Sequence, residues 1–272
     1  MNSLKTYFII IILITFTNCA DDKIIDPALK TVLPKGENSK NWELVFQDEF
    51  NSGRLDLTKW SVGRGWLKKS NNKIEEEYIS FDEGSLILKA ETESGMIYSG
   101  VVNTKNKFFQ KYGFFEARIR SAKGNGLLSR WMGKQYFQDW APAIDAVQII
   151  GDTVSADTLT AGNFNNVGIH WLVAPERETT RRGKFALTEG SFNEEFHIFG
   201  LNWQPDTITW YLDGEEVFRF FEGTEHLNVP FYWIFELTFC EDYSLPDYEC
   251  PEIPGEISAE MRVDYFRVWK EQ

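Results

Sequence analysis

The chain has 272 residues and a formal net charge of -13, which argues against a nucleic-acid partner, since phosphate backbones call for clustered Lys and Arg. Aromatic residues make up 15% of it, with 22 Phe, ten Trp and ten Tyr, more than an average core requires. The three histidines, His170, His197 and His226, have no metal-ligand spacing, so a histidine-based zinc centre is excluded.

Residues 1–19 carry one cation, Lys5, then an apolar run over 7–16, then Thr17-Asn18-Cys19. The run is shorter than the roughly 20 residues that span a bilayer, so it reads as a signal peptide. Cys19 resembles the lipidated cysteine of bacterial lipoproteins, and Ala20-Asp21-Asp22-Lys23 resembles the acidic export tag of surface lipoproteins. The resemblance implies a membrane anchor on Cys19 and a place on the outer membrane or cell surface. An ordinary secretory signal, with Cys19 discarded, is the other reading. Residues 20–40 contain Pro27, Pro34 and Gly36 and read as a flexible tether. Residues 41–272 then suit one domain, because all-β sandwiches often exceed 200 residues as a single unit.

Within that domain, β-branched and aromatic runs recur between turn residues, as in Gly84-Ser-Leu-Ile-Leu-Lys-Ala90, Gly113-Phe-Phe-Glu-Ala-Arg-Ile-Arg120 and Phe231-Tyr-Trp-Ile-Phe235. This spacing predicts a β-sandwich or jelly roll. Asp213-Gly214 between two such runs predicts a tight hairpin, since Gly supplies positive φ. No long segment keeps a 3.6-residue period between caps, which argues against an α/β fold. Cys240 and Cys250 bracket a polar loop, and in an oxidising compartment they read as a disulfide.

The stretch Trp140-Ala-Pro-Ala143-Ile-Asp145-Ala-Val-Gln148 resembles the active strand of glycoside hydrolase family 16, in which Trp-Pro leads into Glu-x-Asp-x-x-Glu. Phe46-Gln-Asp-Glu-Phe-Asn51, Lys111-Tyr-Gly-Phe-Phe-Glu-Ala-Arg-Ile119, Trp203-Gln-Pro-Asp206 and Val263-Asp-Tyr-Phe-Arg-Val268 resemble other motifs of the family, so the likeness covers nearly all of residues 42–269. It implies an all-β, concanavalin-like jelly-roll sandwich of two curved antiparallel sheets with a concave glycan cleft. It also implies a nucleophile at position 143 and an acid/base at position 148, and here those positions hold Ala143 and Gln148.

Retaining hydrolysis needs two carboxyls about 5 to 5.5 Å apart. Ala143 offers none, and the Gln148 amide forms hydrogen bonds without delivering a proton at useful pKa. Strand alternation puts 143 and 145 on one face and 148 on the other, unless a bulge adds a residue. The resemblance implies such a bulge, which leaves Asp145 and Gln148 as hydrogen-bonding groups for an uncut sugar. It further implies cleft contacts from Glu116, Arg118 and Glu236. A catalytic set of displaced acids, Glu116, Asp145 and Glu236, is the alternative, and an ion pair of Glu116 with Arg118 or Arg120 is another. Aromatic rings stack on sugar faces, which makes Trp140 and Trp131, flanking the motif, the first candidates, with Trp171, Trp66 and Trp233 behind them. The family's structural calcium would use Gly84 and Asp264 here, by oxygen-only ligation, and pairing of Asp264 with a nearby Arg is the competing reading.

Three functions fit these residues. The first is a surface lipoprotein that binds a β-linked polysaccharide, laminarin-like glucan or algal galactan, without hydrolysis. The second is a glycosidase working through displaced acids. The third is a partner in a glycan-uptake complex with a vestigial cleft.

Overall fold

The computed structural model describes residues 42–66, 71–136, 141–151, 161–174, 177–240, 250–253 and 255–272. Cys19, the 20–40 tether and Trp140 lie outside the described residues, as does the side chain of Trp66.

The chain runs through β1 (Trp42–Asp48), β2 (Ser61–Val62), β3 (Gly65–Trp66), β4 (Asn72–Ile74) and β5 (Ile79–Asp82). It continues with β6 (Ser85–Glu93), β7 (Met96–Ser99), β8 (Val101–Asn103) and β9 (Gly113–Arg120). Then come β10 (Leu127–Gln135), β11 (Ala143–Ile150), β12 (Phe164–Ala174) and β13 (Arg177–Ala186). The last strands are β14 (His197–Trp203), β15 (Ile208–Leu212), β16 (Glu215–Phe220), β17 (Phe231–Phe239) and β18 (Ser258–Glu271). Among the described residues the only helical pieces are three-residue 3₁₀ turns.

These strands form two sheets, the all-β jelly-roll sandwich expected from the strand spacing. One sheet has eleven strands, ordered β16-β15-β14-β9-β18-β6-β7-β4-β3, with β1 beside β18 and β5 beside β6. The other has seven, ordered β13-β12-β11-β10-β17-β8-β2. The β4–β7 pair is parallel. Asp213 and Gly214 both take positive φ, 49° and 87°, the geometry of a type I′ hairpin turn.

Alternation along each strand sends one set of side chains between the sheets. Phe115, Ala117 and Ile119 of β9 meet Trp131 of β10, Ile144, Ala146 and Val147 of β11, and Trp233, Phe235 and Leu237 of β17 in one core. Rings bridge the layers there: Phe115 lies 4.3 Å from Trp233 and Trp131 lies 5.7 Å from Phe266, centroid to centroid. Gly133 faces Trp233 across the ladder, and a Cβ at that position would come within 3.0 Å of the indole.

Cys240, at the end of β17, is bonded to Cys250, with their Cα atoms 5.6 Å apart. Closing so short a loop stabilises the fold by about 2 to 3 kcal/mol. Cys240→Ser with Cys250→Ser is expected to lower urea-denaturation stability by that amount, and an unshifted midpoint would show that the bridge contributes nothing.

Candidate functional site

The face of the seven-stranded sheet turned away from the core carries Ala143, Asp145 and Gln148, and it is the face that the resemblance expects as the cleft face. In the β10–β11 ladder Trp131 pairs with Val147 and Met132 with Asp145, so β11 carries one extra residue, Ala146. Ala146 and Val147 both enter the core, and Gln148 returns to the face that holds Ala143 and Asp145. The pairing of β11 with β12 stops at Asp145. There Asn165 substitutes for the lost ladder: its Oδ1 accepts from the Gln148 backbone N–H at 2.7 Å, and its Nδ2 donates to the Ala146 carbonyl at 3.1 Å. Backbone groups freed by a bulge are thereby satisfied in a buried position. From the opposite sheet, Trp210 Nε1 donates to the Asp145 carbonyl at 3.1 Å, which braces the same point across the core.

A row of charges crosses this face over five strands. Arg130 stands opposite Glu236 on β17 and opposite Gln148 on β11. Its Nε and Nη2 donate to Asp145 Oδ1 at 3.1 and 2.6 Å, while its Nη1 donates to Glu236 Oε1 at 3.1 Å. The other Asp145 oxygen meets His170 Nε2 at 2.6 Å, and His170 Nδ1 meets Glu178 Oε1 and Thr180 Oγ1, each at 3.0 Å. Arg130 is 1% exposed and Asp145 2%, so the row is largely desolvated. Buried charges persist only when paired and hydrogen-bonded, and Arg130, Asp145 and His170 each have row partners on both sides.

The electrostatics follow from that packing. Burial opposes ionisation of Asp145, but the Arg130 charge and then His170 outweigh it and hold the carboxyl well below the usual range. Burial likewise opposes protonation of His170, yet Asp145 and then Glu178 raise its pKa above 6.5. The signs give a window. Asp145 adds stability above about pH 3.8, its ordinary value, and that contribution is lost as pH falls through the lowered one. His170 adds stability that is full below pH 6.5 and is lost as pH rises through the raised value. The urea midpoint is therefore expected to fall as pH rises above 6.5, and His170→Gln to flatten that slope. An equal slope in both proteins would exclude His170 as its source.

Towards the start of β11 the face becomes apolar. Ala143 packs with Met132, Val101, Ile74, Tyr232 and Ile234 in a cluster separate from the main core. Burial, then Glu236, pushes the Tyr232 phenol up to about 12.

Among the residues singled out from sequence, Ala143, Asp145, Gln148 and Glu236 come together on this face. Glu116 and Arg118 do not. They lie on β9 of the other sheet, on the side opposite Phe115 and Ala117, and so are separated from Asp145 by the whole core. Glu116, 0% exposed, accepts a hydrogen bond from Tyr265 Oη at 3.0 Å, and Arg118 Nη1 donates to Asp264 Oδ2 at 2.7 Å. A set of Glu116, Asp145 and Glu236 around one glycosidic bond is thus ruled out by the layering. Trp131 and Trp233 are core rings, not cleft rings, because their positions alternate with Arg130, Met132 and Glu236. Trp171 also faces the core beside Ile169, stacked 5.1 Å from His226.

Gly84 turns between β5 and β6 with φ 77°, near Asp264, since Leu86 pairs with Val263. The Asp264 carboxylate is taken by Arg118, and a hard cation draws on several oxygens with uncompensated negative charge. Among the described residues no group of three or more His, Cys, Asp or Glu side chains is arranged to hold a metal.

Arg130, His170 and Glu178 are the members of the row that the motifs did not point to. A signal for Arg130 was present: it is the lone cation in Leu127-Leu-Ser-Arg130-Trp-Met132, and an Arg inside an apolar strand calls for a carboxylate across the ladder.

A family model described as "Beta-porphyranase A-D, GH16 domain" matches residues 42–271. "Glucan endo-1,3-beta-glucosidase A1" of Niallia circulans is 26% identical over 271 residues, covering 84% of this chain and 38% of that protein. "Beta-glucanase" of Rhodothermus marinus is 26% identical over 265 residues, covering 87% and 88%. The crystal structure of porphyranase B from Zobellia galactanivorans superposes with a TM-score of 0.69 at 20% identity, covering 88% of this chain and 98% of that one. The chain thus spans well under half the length of the Niallia protein and most of the Rhodothermus one.

Proposed function

This chain belongs to glycoside hydrolase family 16, and from that premise we propose that it is a binding member of the family, holding a β-linked polysaccharide on the cleft face without cleaving it. The ligand class is a laminarin-like glucan or an algal galactan, in keeping with the glucanase and porphyranase relatives. One observation supports the reading: Ala143 and Gln148 stand where the resemblance expects two glutamates, and the carboxylates beside them, Asp145 and Glu236, are both bound by Arg130. An acid catalyst must hold a proton to give to the leaving oxygen, whereas Asp145 is kept ionised. Gln148, Glu236 and Asp145 serve as hydrogen-bonding groups for sugar hydroxyls, and Trp140 as a stacking ring.

The test is isothermal titration against β-glucans and galactans beside a reducing-sugar assay. Binding without sugar release supports the reading, and absence of binding to every glycan overturns it. Sugar release abolished by Glu236→Gln would replace it with hydrolysis through a displaced acid.

We also propose that Cys19 carries a lipid that fixes the protein to the outer membrane or cell surface, where it hands glycan to an uptake complex. Cys19→Ala is then expected to release the protein from membranes. Co-purification with uptake proteins that survives Trp140→Ala would favour an assembly role over glycan capture.

A further inference from the structure

Beyond the Ala143 end of the cleft face lies a pocket of about 400 Å³ lined by Asn106, Phe109, Gln135, Tyr136, Val229 and Pro230. Its volume falls within the range of small-ligand sites. Phe109 and Tyr136 are each 37% exposed, with ring centroids 5.6 Å apart and edge to face. Tyr232 joins the pocket to the floor: it packs with Ala143 and lies 6.3 Å from Phe109. The loop that presents Phe109 is held in place. Thr104 Oγ1 accepts from the Trp233 backbone N–H at 3.0 Å and donates to the Phe108 carbonyl at 2.9 Å, and Gln110 exchanges two backbone hydrogen bonds with Phe231. The neighbouring Phe108 turns inward onto Phe46, 4.5 Å away, so the paired phenylalanines anchor the loop and furnish the pocket wall.

We infer that this pocket is a subsite for a pyranose ring bearing a methyl-terminated substituent, such as an O-methyl ether or an N-acetyl group. The inference rests on the glycan-binding reading above and names the sugar taken next to Ala143. Phe109 and Tyr136 offer faces and edges to the C–H side of a sugar ring. The remaining walls, Val229 and Pro230, are aliphatic. Side-chain polarity comes from the amides of Asn106 and Gln135, and Gln135 Nε2 is already donating to the Ala141 carbonyl at 2.8 Å. Lys105 adds one ammonium at the rim, 5.0 Å from the Tyr136 ring centre. An unsubstituted hexose would bring hydroxyls against Val229 and Pro230, which cannot pair them, and each buried without a partner is penalised. A methyl group against Val229 and Pro230 meets no such penalty.

The experiment is saturation-transfer NMR with titration, using galactose and glucose, their 6-O-methyl ethers and their N-acetylamino counterparts. Wild type is expected to bind a methyl-bearing sugar about tenfold more tightly than its parent, the discrimination of one small apolar contact. The ether and the amide arms tell which substituent is read. Tyr136→Ala and Phe109→Ala, both at exposed rings, are expected to abolish the preference. Equal binding of parent and derivative, no binding of any monosaccharide, or an unchanged preference in Tyr136→Ala would overturn the inference. Failure of the floor reading looks different: the derivative binds the pocket while no polysaccharide binds the protein.

Discussion

Arg130→Met is expected to destabilise the protein by about 3 to 5 kcal/mol, the cost of leaving buried carboxylates without their cation. Arg130 supplies three hydrogen bonds to Asp145 and Glu236 in a position that is 1% exposed. Without it, Asp145 keeps His170 as a partner, while Glu236 loses the one guanidinium set opposite it in the ladder. Such a loss is a large share of the roughly 5 to 15 kcal/mol that holds a typical domain folded. Urea denaturation measures it. A companion protein with Arg130→Met, Asp145→Asn and Glu236→Gln removes the charges together and is expected to recover most of the loss. A cost below about 1 kcal/mol for Arg130→Met, or no recovery in the triple variant, would show that the row is not held by charge pairing.

Placing acids at both positions, Ala143→Glu with Gln148→Glu, is expected to leave sugar release at neutral pH at background. The reason lies in the ladder. Position 148 stands opposite Arg130, so a carboxylate introduced there pairs with the guanidinium and stays ionised, whereas the family chemistry asks that position to donate a proton. General-acid assistance is worth about 10² to 10⁴ in rate, and it is this assistance that Arg130 withholds. At the other position the new carboxyl would sit between Lys134 and His170, its ladder neighbours, on a floor otherwise built of Met132, Val101 and Ile234. Reducing-sugar assays on laminarin and galactans at pH 7 decide the matter. Clear turnover by the double variant would mean that the two missing letters are the whole difference from an active enzyme.

The legible part of this protein was the part written in local chemistry. Strand alternation, the Asp213-Gly214 turn and the Cys240/Cys250 pair rest on conformational preferences of neighbouring residues, and the fold bears them out. The bulge in the motif around Asp145 came from the family resemblance, since strand alternation alone would turn Gln148 to the other face. What failed was the assignment of faces across the two layers. Glu116 and Arg118 share a face of β9, as alternation requires, yet only packing decides whether that face meets the cleft or the far side of the molecule. Trp131 is one residue from Arg130 and points the other way, so aromatic character near the motif did not distinguish a core ring from a sugar platform.

By itself, then, the amino-acid order determined the sheet-forming segments and the family, and it holds Ala143 and Gln148 where the resemblance expects two glutamates. The tertiary structure decided what surrounds those two positions. Arg130, Asp145, His170, Glu178 and Glu236 come from five strands spread over more than a hundred residues, and no local pattern links them. They form one row because side chains opposite or diagonal to each other on adjacent strands stand close enough to pair, Arg130 opposite Glu236 and the other pairs diagonal, and because a buried charge without such a partner would cost more than the fold could bear.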